Sequence, residues 1–520
     1  MEHSFICNAE TAVVETDRGR VRGYIYDGIT IFKGIPYAKA KRFHAPEPAD
    51  PWEGVFEATN YGYVCPLLDF TARPNGELAV PHRFWVMNEH CQNLNIWTPA
   101  CDGKKRPVMV WLHGGGFEAG SAIEQIAYEG ENMCRLGDVV VISINHRLNV
   151  LGYCDLSDFG EEYANSGNAG TDDIIAALRW IRNNVEAFGG DKDNVTVFGQ
   201  SGGGAKVTAL LQSPAADGLF AKGINMSGVI GMLMKDAEGS GKDLAEALMK
   251  ELKVDSVKEL ETVPYESLAA AYLKVRPVLA EEGKYVGGVP QLNACYAGDP
   301  NVYGFRKESA HIPLMVGSVY GEFASFAPNR YNRAAMSVEE GLNAVKELLG
   351  EDATEELKPL FQAAYPERNP VDLLTLDFMF RLPEQEYIKK RSALNQNTYS
   401  YIFNLDLSID GGKTPWHCAD IPFFFHNTEL VPVAWVEGVT ERLEQEIFES
   451  VMAFARTGAP GHDGIPGWPA STPDAEHTMV FGRETGLRTN FDAELIPALA
   501  KHMGPVFERL MKTAMENAQH

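Results

Sequence analysis

The chain has 520 residues, of which 45% are hydrophobic, and its formal net charge at pH 7 is −25. This length and hydrophobic content allow a large buried core. The acidic balance excludes the broad basic surface that binding to nucleic acid or to an anionic membrane requires. The longest apolar run near a strand, DVVVISI, is far shorter than a membrane span.

The first part of the chain, up to about Trp97, contains short strand patterns and loops, among them the proline-rich PEPADPWEG. We expect this part to form an antiparallel edge of a sheet. The N-terminus has no basic segment followed by an apolar stretch, so no secretory signal is evident. We therefore expect a cytoplasmic protein.

Between Pro107 and about Gly228, strand patterns alternate with a helix pattern. The strand patterns are VMVWL, VVVISI and NVTVF, and the helix pattern is DIIAALRWIRNNVEAF. The helix pattern has one apolar face, formed by Ile174, Ala177, Leu178, Ile181 and Val185. Such alternation implies parallel strands joined by right-handed crossovers, and it predicts the α/β class.

Two glycine-rich turns follow strand patterns in this region. RPVMVWLHGGGF ends in three glycines, which allow backbone N–H groups to turn toward a ligand. NVTVFGQSGGG places Ser201 in a Gly-x-Ser-x-Gly turn between a strand and a helix, a corner that exposes the hydroxyl above the sheet edge. Ser201 is therefore the candidate nucleophile. The N–H groups of Gly115, Gly116 and Gly202 are the candidate donors to an oxyanion.

A serine nucleophile needs a base, and the base needs an orienting acid. In this fold the chain order is serine, acid, histidine. His417 lies in TPWHCADIPFFF, a loop after the strand-like TYSYIFNLDL, and Glu322 follows the buried strand pattern at 313–317. The order leaves other bases open: His311, His426, His462, His477, His502 and His520. The spacing also leaves other acids open: Asp299, Asp406 and Asp420.

Together these segments resemble the type-B carboxylesterases, which include carboxylesterases, cholinesterases and bacterial p-nitrobenzyl esterases. The similarity extends over nearly all of the chain, through IFKGIPYAKA, CQNLNIWTP, INHRLNVLGY, NMSG and FARTGAP. The resemblance implies one α/β-hydrolase domain over residues 1–520, with a large, mostly parallel, twisted central sheet flanked by helices. It also implies helical cap insertions at roughly 232–280 and 335–395, where the charged, amphipathic segments 242–274 and 338–365 lie.

The resemblance assigns roles to the candidate residues. Ser201 falls on the nucleophile position, Glu322 on the acid and His417 on the base. Gly115, Gly116 and Gly202 fall on the oxyanion-hole positions.

The chain departs from the family pattern at three positions near the site. Gln200 replaces the usual glutamate before the nucleophile, which disfavours a specialist for choline esters. Gly202 replaces the usual alanine, and Phe323 replaces the glycine after the acid. The family positions of Cys65 and Cys91 form a disulfide in secreted members, but in a reducing compartment we expect free thiols.

The predicted function is a serine carboxylic-ester hydrolase that forms an acyl-enzyme, acting on small to medium neutral esters. Phe117, Gln200, Phe323 and Phe423 are candidate pocket residues. We expect no metal, no cofactor and no nucleic-acid partner, and a monomer or homodimer. One alternative is an aryl or hydroxycinnamate esterase with an aromatic pocket from Phe323, Phe326 and residues 423–425. Another is a non-catalytic adhesion-type homologue, which characteristically lacks a triad residue.

Overall fold

A computed structural model describes residues 3–69, 81–229, 231, 240–323, 333–409 and 412–518. Within these residues the largest sheet has twelve strands. Numbered along the chain, they are β1 Phe5–Ile6, β2 Tyr24–Tyr26, β3 Ile29–Pro36, β4 Asn93–Thr98, β5 Arg106–Leu112, β6 Val140–Ile144, β7 Gly190–Gln200, β8 Lys222–Met226, β9 Leu314–Val319, β10 Thr398–Phe403, β11 His477–Phe481 and β12 Gly486–Thr489.

The centre of this sheet is parallel and its two edges are antiparallel. The spatial order is β1-β2-β3-β4-β6-β5-β7-β8-β9-β10-β11-β12. Strands β6, β5, β7, β8, β9, β10 and β11 run parallel to one another. Strands β1 to β4 and β12 pair antiparallel. This large, mostly parallel sheet agrees with the predicted α/β-hydrolase fold, and its parallel strands bring their carboxyl ends to one edge.

The central strands are buried on both faces, as their continuous apolar patterns indicate. Along β5, Val108, Val110 and Leu112 pack into one hydrophobic cluster, whereas Met109 and Trp111 pack into another on the opposite face. The first face is covered by the helix Ala169–Asn184, and the second by Thr440–Thr457. The result is a sheet between two layers of helices.

The helix predicted after VVVISI begins at Ala169, and its predicted apolar face is buried. The α-helices of the described residues are Glu131–Gly137, Asn149–Gly152, Ala169–Asn184, Gly202–Leu211, Gly241–Leu252, Val257–Leu260, Tyr265–Glu281, Pro300–Tyr303, Val338–Leu349, Glu351–Ala364, Arg381–Leu394, Ile421–Phe425, Thr440–Thr457 and Leu495–Ala518. Among the described residues, none of these helices has the length and apolarity needed to cross a bilayer.

The prediction for the N-terminal part is correct for β1 to β4 but wrong for the proline-rich segment. Glu47–Pro48 pairs with Ala38–Lys39 in a separate two-stranded sheet. Val13–Thr16, Gly19–Arg22 and Val55–Glu57 form another small sheet. Proline has no N–H to donate to a ladder, and this proline-rich segment forms only a two-residue pairing outside the main sheet.

Both segments assigned to cap insertions contain helices where the structure describes them. In the first, Gly241–Leu252 and Tyr265–Glu281 pack with Leu148 and Tyr285 in one hydrophobic cluster. In the second, Arg381–Leu394 packs Tyr387 and Ile388 against the sheet. That last helix therefore flanks the sheet. Residues 232–239 of the first segment lie outside the described residues.

Candidate active site

Ser201 lies at the corner between β7 and the helix Gly202–Leu211. Its backbone angles are φ 58° and ψ −125°, a strained conformation for a residue with a side chain. Its N–H donates to the carbonyl oxygen of Met226, at the end of β8, at 2.8 Å. This bond fixes the corner to the neighbouring strand, and the Ser201 side chain is partly exposed.

The three-glycine loop after β5 packs against this corner. Gly115 and Gly116 have φ values of 81° and 62°, which glycine adopts without strain. A Cβ placed on Gly114 would lie 3.5 Å from the Ser201 Cβ, so the loop and Ser201 are neighbours. In the described part of the chain, the N–H groups of Gly115, Gly116 and Gly202 have no hydrogen-bond acceptor. These three donors are therefore available to a ligand.

Glu322 and His417 meet at the same edge of the sheet. The His417 Nδ1 and the Glu322 Oε2 are 2.5 Å apart. Glu322 is fully buried, and its other oxygen accepts the N–H of Val319 at 2.9 Å. The His417 N–H also donates to the Glu322 carbonyl oxygen at 3.0 Å. The contact holds the imidazole in the tautomer that leaves Nε2 for a second partner.

In this structure the second partner of the imidazole is Gln200. Its Nε2 lies 3.3 Å from the His417 Nε2 and 3.4 Å from Nδ1. The Cys418 thiol donates to the Gln200 Oε1 at 3.1 Å, which orients the amide. No hydrogen bond joins Ser201 to His417 here, within the residues described. In ligand-free enzymes such bonds are often long and form with substrate.

Buried carboxyls surround the imidazole. Burial acts to lower the pKa of His417, but the charge and hydrogen bond of Glu322 raise it above its usual value, with help from Asp420 and Asp377. Burial raises the pKa of Asp420 to about 7, and the charge of Glu322 adds to that rise. Burial and Glu322 also raise the pKa of Asp377. The pocket around His417 therefore favours the charged imidazolium.

The alternative bases and acids bond elsewhere. Asp420 accepts the Tyr401 hydroxyl at 2.9 Å, Asp406 pairs with Arg333, and Asp299 caps a short helix. The alternative bases within the described residues bond to groups other than Ser201: His311 to Glu308, His426 to Glu444, His462 to Ser450, His477 to Thr489 and His502 to Glu356. His520 lies outside the described residues.

The candidate pocket residues differ in position. Phe323 is partly exposed, and its ring lies 5.7 Å from Phe380, whose ring lies 5.3 Å from His417. Phe423 is fully buried and packs on Phe403 in the core, so its assignment to the pocket is wrong. Phe117 is also buried, with its ring against Tyr153.

Two of the remaining aromatic candidates lie in the core. Phe424 and Phe425 belong to the same core cluster as Phe423. Phe326 lies outside the described residues.

Sequence reasoning missed three groups near the site. Asp377 carries no local signal, because it lies between helices far from the motifs. Cys418 was visible only as a neighbour of the base, and its bond to Gln200 depends on the fold. Lys206 did carry a signal: it is a lone charge in the apolar run after Ser201.

Comparison with known proteins places the chain among esterases. The sequence model of the Carboxylesterase family matches residues 10–495. The structure of an esterase from Clostridium hathewayi, described as able to hydrolyze aliphatic aromatic polyesters, is similar with 49% identity and a TM-score of 0.93. That match covers 96% of this chain and 100% of the other.

Two curated relatives are similar over nearly their whole length. Para-nitrobenzyl esterase of Bacillus subtilis is 32% identical over 505 residues, which cover 93% of this chain and 97% of the relative. Phenmedipham hydrolase of Pseudarthrobacter oxydans is 31% identical over 489 residues, which cover 91% of this chain and 95% of the relative.

Proposed function

Because the chain belongs to the carboxylesterase family, we propose that it hydrolyses carboxylic esters through an acyl-enzyme on Ser201. One observation carries the proposal: the 2.5 Å contact between His417 and buried Glu322 lies at the sheet edge where Ser201 occupies its strained corner. A nucleophile, a base and an orienting acid are the groups that acyl transfer requires.

The proposed reaction has two steps. His417 takes the hydroxyl proton through Nε2 as Ser201 attacks the ester carbonyl, and Glu322 stabilises the imidazolium that forms. The same imidazolium protonates the alcohol that leaves. Water then attacks the acyl-enzyme, with His417 again as base. For the first step the imidazole must exchange its contact with Gln200 for one with the Ser201 hydroxyl.

The negative charge of the tetrahedral intermediate goes to backbone donors. The N–H groups of Gly115, Gly116 and Gly202 are unpaired within the described residues and lie beside the nucleophile. Donors fixed before the reaction stabilise this charge without reorganisation, which makes them a large contribution to catalysis.

We assign small to medium neutral esters as the substrates. Gln200 places a neutral amide, instead of the family's usual carboxylate, beside the base. A cationic alcohol group therefore gains no charge partner from this position. The net charge of −25 also disfavours strongly anionic esters.

The test is the variant Ser201→Ala. We expect it to abolish both turnover of p-nitrophenyl esters and labelling by a serine-directed phosphonate. Mass spectrometry of the labelled wild-type protein should place the phosphonate on Ser201. Labelling at a different serine contradicts the assignment, and so does a variant that turns over p-nitrophenyl esters as fast as the wild type.

A preference for aryl esters is a second candidate, supported by the aromatic rings beside the base. Phe323 contacts Phe380 at 5.7 Å and Phe507 at 5.9 Å, and Phe380 lies against His417. Flat aromatic groups pack favourably on such rings. The names of two relatives also include aromatic substrates, a nitrobenzyl ester and aliphatic aromatic polyesters.

The two substrate classes are separated by kcat/KM. A series of aliphatic methyl esters of increasing acyl length is compared with methyl ferulate and dibutyl terephthalate, so that every substrate has an alkoxide leaving group. A kcat/KM at least tenfold higher for methyl ferulate and dibutyl terephthalate supports the aryl assignment if Phe323→Leu loses this preference. Equal loss on short aliphatic esters in that variant contradicts it.

A further inference from the structure

Lys206 is a lysine buried in the helix that follows the nucleophile. All residues of Gly202–Leu211 are buried, and Lys206 is 1% exposed. Its helix neighbours are glycine, alanine, valine, threonine and leucine. Lysine is rarely buried to this extent without a charged partner, because the ammonium loses its hydration. Packing alone therefore does not explain this residue.

The ammonium contacts both residues that flank the three-glycine loop. Its Nζ donates a hydrogen bond to the carbonyl oxygen of His113 at 2.9 Å. It also lies 5.7 Å from the centroid of the Phe117 ring, within the range of a cation–π interaction. His113 precedes Gly114, and Phe117 follows Gly116. Lys206 thus contacts the three-glycine loop at both of its ends.

Below about pH 7, Lys206 is the cation among the buried groups that face it. His113 and His146 stack with ring centroids 5.0 Å apart, and burial together with the charge of Lys206 lowers the pKa of both. Glu124 is the acidic side chain that acts on Lys206, and burial outweighs it, so the pKa of Lys206 falls to about 7. Lys206 forms no ion pair with any carboxylate in the part of the chain that is described.

We propose that Lys206 is a positioning residue for the oxyanion hole: its ammonium fixes residues 113–117 and places positive charge behind the donors of Gly115 and Gly116. This inference rests on the proposed function, because it assigns Lys206 a part in the transition state of that reaction. The negative charge appears on the substrate oxygen only during attack. Loss of Lys206 therefore lowers kcat and leaves KM nearly unchanged.

The test compares three single variants. Lys206→Met removes the charge and the hydrogen bond but has a side chain of similar length, whereas Lys206→Gln keeps a hydrogen-bond donor without the charge. Lys222→Met is the matched control: Lys222 is 7% exposed, burial also lowers its pKa, and at the start of β8 it bonds to Asn194 of β7. For each protein, kcat and KM for p-nitrophenyl butyrate are measured from pH 5.5 to 9.5.

We expect Lys206→Met to lose about 10- to 100-fold in kcat, below the roughly 10²–10³ for deleting a whole donor, with KM within about threefold. The rate of phosphonate labelling of Ser201 should fall in parallel. Lys206→Gln should recover part of the loss, and Lys222→Met should match wild type. The wild-type kcat should decline above about pH 7 as Lys206 loses its proton, and Lys206→Met should lack this decline.

Three results overturn the proposal. The first is a kcat of Lys206→Met that equals that of the wild type, and the second is an equal loss of kcat in Lys222→Met. The third is a loss of kcat in Lys206→Met with the same pH dependence of kcat as the wild type. If Lys206→Met does not fold, the wild-type profile decides, and a kcat that stays level up to pH 9.5 overturns the proposal. Failure of the proposed function looks different, because the wild type itself would then show no phosphonate on Ser201.

Discussion

Gly202 and Gly116 are in direct backbone contact. A Cβ on Gly202 would lie 2.1 Å from the carbonyl oxygen of Gly116 and 2.4 Å from its nitrogen. The family's usual alanine at this position therefore does not fit against the glycine loop as it is placed here. The glycine after Ser201 permits the loop to approach one of the proposed oxyanion donors closely.

Gly202→Ala should consequently displace the loop and reduce kcat. The overlap is with backbone atoms, which cannot rotate away, so the change should lower the thermal stability, and activity should fall by up to roughly 10², the scale of one misplaced oxyanion donor. Steady-state kinetics and thermal unfolding check both parts. Gly486→Ala is the control, because nothing lies within 4 Å of its Cβ position. Wild-type kcat in Gly202→Ala would contradict this prediction.

The motifs of this chain could be predicted where consecutive residues specify them. The strand, turn and helix around Ser201 and the glycine loop are each specified by consecutive residues. The chain order and the loop positions also made Glu322 and His417 candidates, and the structure places them in contact.

The errors arise where partners come from distant elements. Pattern alone does not show which strand Glu47–Pro48 pairs with. Three consecutive phenylalanines in Ile421–Phe425 all enter the core, because this short helix is enclosed on every side. The contacts of Lys206 and Cys418 likewise depend on burial by segments far along the chain.

Gln200→Glu should shift the acidic limb of the pH profile of kcat/KM to higher pH. A carboxylate at this position lies about as close to His417 as the present amide, 3.3 Å from Nε2, and favours the imidazolium. A nearby opposite charge shifts a pKa by roughly 1–3 units. The base is then protonated over a wider range, so activity at pH 6 falls more than at pH 8. Cys418→Ser, which keeps a donor to the side chain at 200, is the control. An unmoved acidic limb would refute the expectation.

Asp420→Asn should stabilise the protein at alkaline pH. Burial raises the pKa of Asp420 from 3.8 to about 7, so the folded state binds the proton more tightly than the unfolded chain. The stability from this group is present below about pH 4 and is lost as the pH rises through about 7. Asparagine keeps an acceptor for the Tyr401 hydroxyl without the charge.

The free energy of unfolding, measured in urea at pH 5 and pH 8, checks this. The gain of Asp420→Asn over wild type should be larger at pH 8, by up to about 3 kcal/mol, because the two units between pH 5 and the pKa of about 7 each contribute about 1.4 kcal/mol. The exposed Asp463→Asn should show no such difference between the two pH values. A gain that is the same at both pH values would show that Asp420 does not titrate in this range.

Arg147→Met should strongly destabilise the protein, because it leaves a buried carboxylate without its partner. Arg147 and Asp173 are 2% and 0% exposed and are joined by bonds of 2.8 and 2.9 Å. The guanidinium also donates to the carbonyl oxygen of His44 at 2.8 Å. Breaking such a buried pair costs about 3–5 kcal/mol, measured as the free energy of unfolding in urea.

The surface pair Arg182–Asp193 offers the matched comparison, because its side chains are 40% and 67% exposed. Water screens the exposed pair, so Arg182→Met should cost less than about 1 kcal/mol. The carboxylate left behind in Arg147→Met has no water to solvate it, and that difference in hydration, rather than the pairing itself, sets the contrast. Replacing both partners, as in Arg147→Met with Asp173→Leu, should recover part of the loss for the same reason. Equal losses in Arg147→Met and Arg182→Met would mean that the buried carboxylate finds another source of hydration or charge.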